Sequence, residues 1–154
     1  MRTIYFKSNL NLDLENLFKR GLSAYSIING SSGRPDKVIF KLCDGKIFKI
    51  QSTLIDLEDW DELGTLEFSF VDSAENLKVL DQTWNKIVKV FVLAIREPNV
   101  ECQCGLTIEN ILGEKLYITP SSFPFSIELK SNFYNGSFEP ECELHDYSSY
   151  SLTS

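Results

Sequence analysis

The stretch DKVIFKLCDGKIFKIQ, Asp36–Gln51, decides the fold class. Apolar and polar residues alternate on both sides of Asp44-Gly45, which is the period of a half-buried strand. Asp-Gly is also the pair that a type I′ hairpin turn favours. A two-residue turn there sets Leu42 opposite Ile47 and Ile39 opposite Ile50. The period of two continues in TLEFSFV (Thr65–Val71), with Leu66, Phe68 and Phe70 on one face and Glu67 and Ser69 on the other. KIVKVFVLAIRE (Lys86–Glu97) reads as a long strand, apolar on both faces from Val90 to Ile95, as a central strand is. VECQCGLTIEN (Val100–Asn110), KLYIT (Lys115–Thr119) and FSIEL (Phe125–Leu129) extend the pattern. Turns are expected at Pro98-Asn99, Leu112-Gly113-Glu114 and Pro120 to Pro124.

Ahead of the hairpin, SNLNLDLENLFKRG (Ser8–Gly21) is a helix signal. Leu14, Leu17 and Phe18 share one face, Asn11 or Asp13 caps the start, and Lys19 and Arg20 lie where the dipole favours cations. Gly21 suits the left-handed cap. SAENLKVLD (Ser73–Asp81) has the spacing of a short helix capped by Ser73. The strands follow one another through turns, with no helical crossovers between most of them. The expectation is therefore a mainly β fold: an antiparallel sandwich or partly open barrel with one N-terminal helix, an α+β layout being the alternative. The 154 residues are expected to form a single domain, with 131–154 as a loop-like C-terminal tail over the body.

Charge is spread unevenly. The net charge is −7, yet residues 1–50 carry nine Lys/Arg and four Asp/Glu, while 51–154 carry six and eighteen. An acidic surface disfavours nucleic acid and anionic membrane as partners and favours a basic one. The longest apolar run, Val90 to Ile95, is far short of the roughly 20 residues of a membrane span. MRTIYFKSNLNL has no leader pattern, so a cytoplasmic protein is expected, with its four cysteines as free thiols.

IDLEDWDEL (Ile55–Leu63) packs five carboxylates into the seven positions from Asp56 to Glu62, around Trp60. A calcium loop needs oxygens at alternate positions and a glycine at its sharp turn, and Trp60 breaks that pattern. What remains is a binding face made of Asp56, Glu58, Asp59, Asp61 and Glu62. Trp60 either anchors a partner there or packs inward. Near the other end, FEPECELHDYSSYS (Phe138–Ser151) offers Glu139, Glu141 and Glu143 as a second acidic, aromatic-bearing segment.

Cys102-x-Cys104 and Cys142-x-x-His145 together supply four zinc-type ligands. One pair is spaced by a single residue, however, where structural zinc takes two to four. On a strand Cys102 and Cys104 project from one face, and buried packing is the expected role. His145 is the chain's single histidine and stands in a polar tail. No nucleophile elbow accompanies it, and NGSSG (Asn29–Gly33) lacks the lysine and following helix of a phosphate loop. No metal, cofactor or catalytic residue is expected.

The segment ITPSSFPFSIELKSNFYNGSFEPECELHDY (Ile118–Tyr147) resembles the closing segment of small bacterial proteins akin to the immunity partners of interbacterial toxins. Phe123-Pro124-Phe125 and Phe138-Glu139-Pro140-Glu141 carry the likeness. It implies a non-enzymatic inhibitor that binds one cognate toxin domain, and the acidic balance suits a basic partner such as a nuclease. The alternatives are a small hydrolase with carboxylate chemistry and a β domain that binds a ligand or serves structure.

Overall fold

A computed structural model describes residues 2–8, 13–56 and 62–152. Among them are twelve strands. In chain order these are β1 (Arg2–Ile4), β2 (Lys7–Ser8), β3 (Leu22–Asn29), β4 (Pro35–Leu42), β5 (Ile47–Ile55), β6 (Leu63–Val71), β7 (Lys78–Val79), β8 (Ile87–Glu97), β9 (Val100–Asn110), β10 (Lys115–Pro120), β11 (Ile127–Lys130) and β12 (Ser148–Ser151). The helix α1 (Leu14–Lys19) lies between β2 and β3. The chain is mainly β, as its alternation implies. Two mixed sheets, with strand orders β2-β6-β5-β4-β3-β7 and β11-β10-β9-β8-β12, pack on each other without closing into a barrel, and β1 lies beside β9.

The decisive hairpin forms, but in a different register. Phe40 faces Phe48 and Val38 faces Ile50, one position away from the pairing a two-residue turn imposes. The loop has three residues, Cys43 to Gly45. Leu42 N donates to Lys46 O (2.8 Å), Gly45 N to Leu42 O (3.0 Å), and Gly45 carries φ +95°. A turn followed by a left-handed glycine is the second common way to close a hairpin. Side-chain burial explains the choice. Val38, Phe40 and Leu42 on β4 and Phe48 and Ile50 on β5 are all buried. The observed register sets these apolar residues against one another, whereas the other would oppose Phe40 with Lys49.

The main core lies between the sheets and includes the fully buried Trp84, Phe18, Phe40, Phe48 and Phe68. Helix α1 contributes Leu17 and Phe18, and the Phe18 ring meets Phe48 edge-on at 5.5 Å. Asp13 is its N-cap, accepting from Asn16 N (3.2 Å), and Gly21 at φ +86° takes the left-handed position past its end; Asn11 lies outside the described residues. Residues 2–8 run from one sheet to the other, parallel to β9 as β1 and to β6 as β2. Between the two, Phe6 packs edge-on against Phe68 and its N–H donates to Gln103 Oε1 (3.1 Å).

Two further expectations are corrected. Ser73–Asp81 is not a helix: Asn76 adopts φ +57°, and Lys78–Val79 pairs with β3. The helical turn comes later, at Gln82–Asn85, capped by Asp81 through Thr83 N (2.9 Å), and it drops Trp84 into the core. Leu80 and Trp84, rather than a helix face, meet the core. Likewise the tail is not loop-like to its end. Ser148–Ser151 forms β12 against β8, because Tyr150 and Leu152 reach the main core and Tyr150 Oη accepts from Gln103 Nε2 (2.7 Å). Among the described residues no helix is long and apolar enough to cross a membrane.

Candidate partner-binding site

Strand direction brings five connections to one end of the sandwich, one of them the β8–β9 turn at Pro98-Asn99. The others are the β3–β4 turn, the ends of β5 and β6 with Asp56 and Glu62, the β10–β11 loop, and the segment from Phe138 to Asp146. Backbone bonds fix that last segment against the β10–β11 loop. Glu141 N donates to Pro120 O (3.0 Å), and Ser122 N donates to Glu139 O (3.0 Å). Glu139 N in turn donates to Oε1 of the buried Glu128 (2.9 Å).

The contact that joins the two acidic stretches is made by Gly64. Its N–H reaches both oxygens of Glu141, at 2.9 and 3.2 Å. A Cβ at position 64 would stand 2.6 Å from Pro120 Cβ and 3.1 Å from Glu141 Oε2, so only glycine admits this approach. Below the contact lies a second apolar cluster in which Ile55 and Leu63, at the ends of β5 and β6, meet Cys142, Leu144 and Tyr147. Segments nearly eighty positions apart are thus held side by side. Glu58, Asp59, Trp60 and Asp61 lie outside the described residues, while Asp56 and Glu62 flank them and are exposed.

The carboxylates of the closing segment do different work. Glu139 is half-exposed and pairs with Arg34 Nη1 at 3.2 Å. Glu143 is exposed, 4.0 Å from His145 Nδ1, and His145 Nε2 lies 3.4 Å from Asp146. Glu141 is half-buried and serves as a latch. Burial pushes its carboxyl above the usual range, and the Gly64 N–H pulls it partly back. A cleft of about 600 Å³ runs between these side chains, with Phe138, Leu144 and His145 among its walls.

The thiols are placed differently from the histidine. Cys102 and Cys104 are buried beside Leu93 and Tyr147, with Cys142 packed against them. Cys104 Sγ donates to Cys102 O (3.4 Å), and burial raises both thiols, Cys104 strongly. His145 is 78% exposed. Among the described residues no group of three or more His, Cys, Asp or Glu is arranged to hold a metal ion. Thiols raised in this way are poor nucleophiles.

Sequence reasoning passed over Arg34 and Phe125 as members of this end. The Arg34 guanidinium lies 3.2 Å over the Phe123 ring centroid. Phe125 has φ +63° and is 61% exposed. The one signal for it was Phe-Pro-Phe, where proline marks the second position of a turn and puts the next residue at the strained third.

The latch has a testable pH signature. A carboxyl raised in the folded state keeps its proton at pH values where the unfolded chain has lost it, so its contribution to stability falls as pH rises from about 4.5. Glu141→Gln should remove that slope while keeping an acceptor for Gly64. The difference in unfolding free energy between parent and variant, followed by urea titration across mildly acid pH, should shift toward the variant as pH rises. A difference flat in pH would contradict the burial of this carboxyl. Comparison with protein-family models, curated proteins and solved structures finds no match for the chain.

Proposed function

We propose that the protein is a non-enzymatic, cytoplasmic binding protein of the immunity type, which neutralises a cognate toxin domain by docking its acidic end on a basic face. The observation that supports this reading is the Gly64–Glu141 contact, which holds Gly64, two residues past Glu62, against Glu141, two residues from both Glu139 and Glu143. Carboxylates gathered in this way can occupy the Lys and Arg with which a nuclease holds phosphate.

A second reading, a small hydrolase, draws on the cleft and on the raised carboxyl of Glu141. Against it, the Glu141 carboxylate is held on the Gly64 N–H as a structural contact.

The test is co-expression with the product of the adjacent reading frame. The expected result is a complex that survives purification and relief of growth inhibition caused by that product. The variant Asp56→Asn, Glu62→Gln, Glu139→Gln, Glu143→Gln should lose both. A product that neither binds nor inhibits growth, or relief that survives the four changes, would overturn the reading.

A further inference from the structure

Phe123-Pro124-Phe125-Ser126 has the pattern of a type II turn: Ser126 N donates to Phe123 O (3.1 Å), proline is second, and the third residue has φ +63°. That third position belongs to glycine or asparagine. Among the described non-glycine residues only Asn76 and Phe125 have positive φ, and asparagine tolerates it. Phe125 is also the most exposed phenylalanine of those described, at 61%. Neither backbone preference nor burial accounts for an aromatic ring at this tip.

Its neighbour shows what such a ring can hold. On Phe123 the Arg34 guanidinium stacks 3.2 Å from the ring centroid and also reaches Glu139 at 3.2 Å. Lys130 sits 5.9 Å over Phe138 on the cleft wall. Two rings at this end, Phe123 and Phe138, are partnered by cations, and Glu139 reaches the cation on Phe123.

We propose that the Phe123–Phe125 turn anchors an arginine-bearing segment of a protein partner, with the Phe125 ring as the stacking face and Glu139 and Glu143 as counter-charges. The proposal rests on the acidic docking face put forward above and names the side chain that seats on it. Arginine fits better than lysine because its planar guanidinium stacks on an aromatic face while its N–H groups remain free for carboxylates.

The probe is a capped tri-arginine peptide at low salt, with tri-lysine and tri-glutamate as controls, titrated into isotope-labelled protein. Tri-arginine should shift the amide signals of Phe123, Phe125 and Glu139 to Glu143 saturably. Tri-lysine should shift the glutamates with a weaker effect at Phe125, and tri-glutamate should do nothing. Phe125→Gly removes the ring at a backbone angle glycine accepts, so its thermal midpoint should hold or rise while affinity for tri-arginine drops about two- to fivefold. Phe125→Tyr should keep that affinity. If the glutamate shifts persist and Phe125→Gly binds as before, the anchor is overturned and the acidic face stands. If no charge-dependent shift appears at Glu139 to Glu143, both fall. A lower midpoint for Phe125→Gly would assign the ring to the fold and overturn the anchor.

Discussion

Phe48→Ala should lower the unfolding free energy by about 3–5 kcal/mol, the cost of removing a buried phenylalanine and leaving a cavity. Phe48 is fully buried and faces Phe40 across the hairpin, 5.7 Å between ring centroids. It also meets Phe18 of α1 edge-on, so one substitution removes contacts to the hairpin partner and to the helix. Lys49→Ala next to it points to the other face and should change stability by about 0.5 kcal/mol or less. The contrast tests the register as well as the burial, because a slip of one residue moves each side chain to the opposite face. Urea denaturation of both variants measures it. A loss under about 1 kcal/mol for Phe48→Ala would contradict this packing.

The hairpin also shows where sequence reasoning succeeds and where it stops. The unbroken apolar run Val90 to Ile95 locates β8, and alternation locates β4, β5, β6, β9, β10 and β11, because an apolar residue at every second position has no other simple use. It could not count the turn: Asp44-Gly45 fits both a two-residue loop and the end of a three-residue one, and the choice was made by Phe40 seeking Phe48 rather than Lys49. Of the five strands that alternation does not reveal, β1, β2, β7 and β12 have two to four residues each, too short for a period to register. β3 was passed over although LSAYSIIN carries three buried apolar residues, Leu22, Ala24 and Tyr25.

The site was legible only in its parts. Two acidic stretches stood out by composition, but nothing in either said that they meet. Their meeting depends on Gly64, whose missing Cβ admits Pro120 and the Glu141 carboxylate. Glu141, grouped by sequence with the binding carboxylates, is half-buried and accepts the Gly64 N–H. Arg34 joins the same end through Glu139 and Phe123, 105 and 89 positions away, a distance over which sequence pattern carries no information.

On the proposed function, the clustered carboxylates serve association with a basic partner domain. They should act chiefly on the encounter, since charges at the rim of an interface change the on-rate and its salt dependence more than the lifetime of the complex. The variant Asp56→Asn, Glu62→Gln, Glu139→Gln, Glu143→Gln removes four charges that are exposed or half-exposed. It leaves the Glu141 latch intact, so its thermal midpoint should change little. Steering of this kind raises association rates by roughly 10- to 1,000-fold. The direct measurement is the association rate constant of the basic partner domain, for parent and variant, from low to high salt. The parent should associate at least about tenfold faster at low salt, and the two rates should converge near 1 M, where screening shortens to about 3 Å. Equal rates with equal salt slopes would contradict the claim and leave the acidic end with no part in docking.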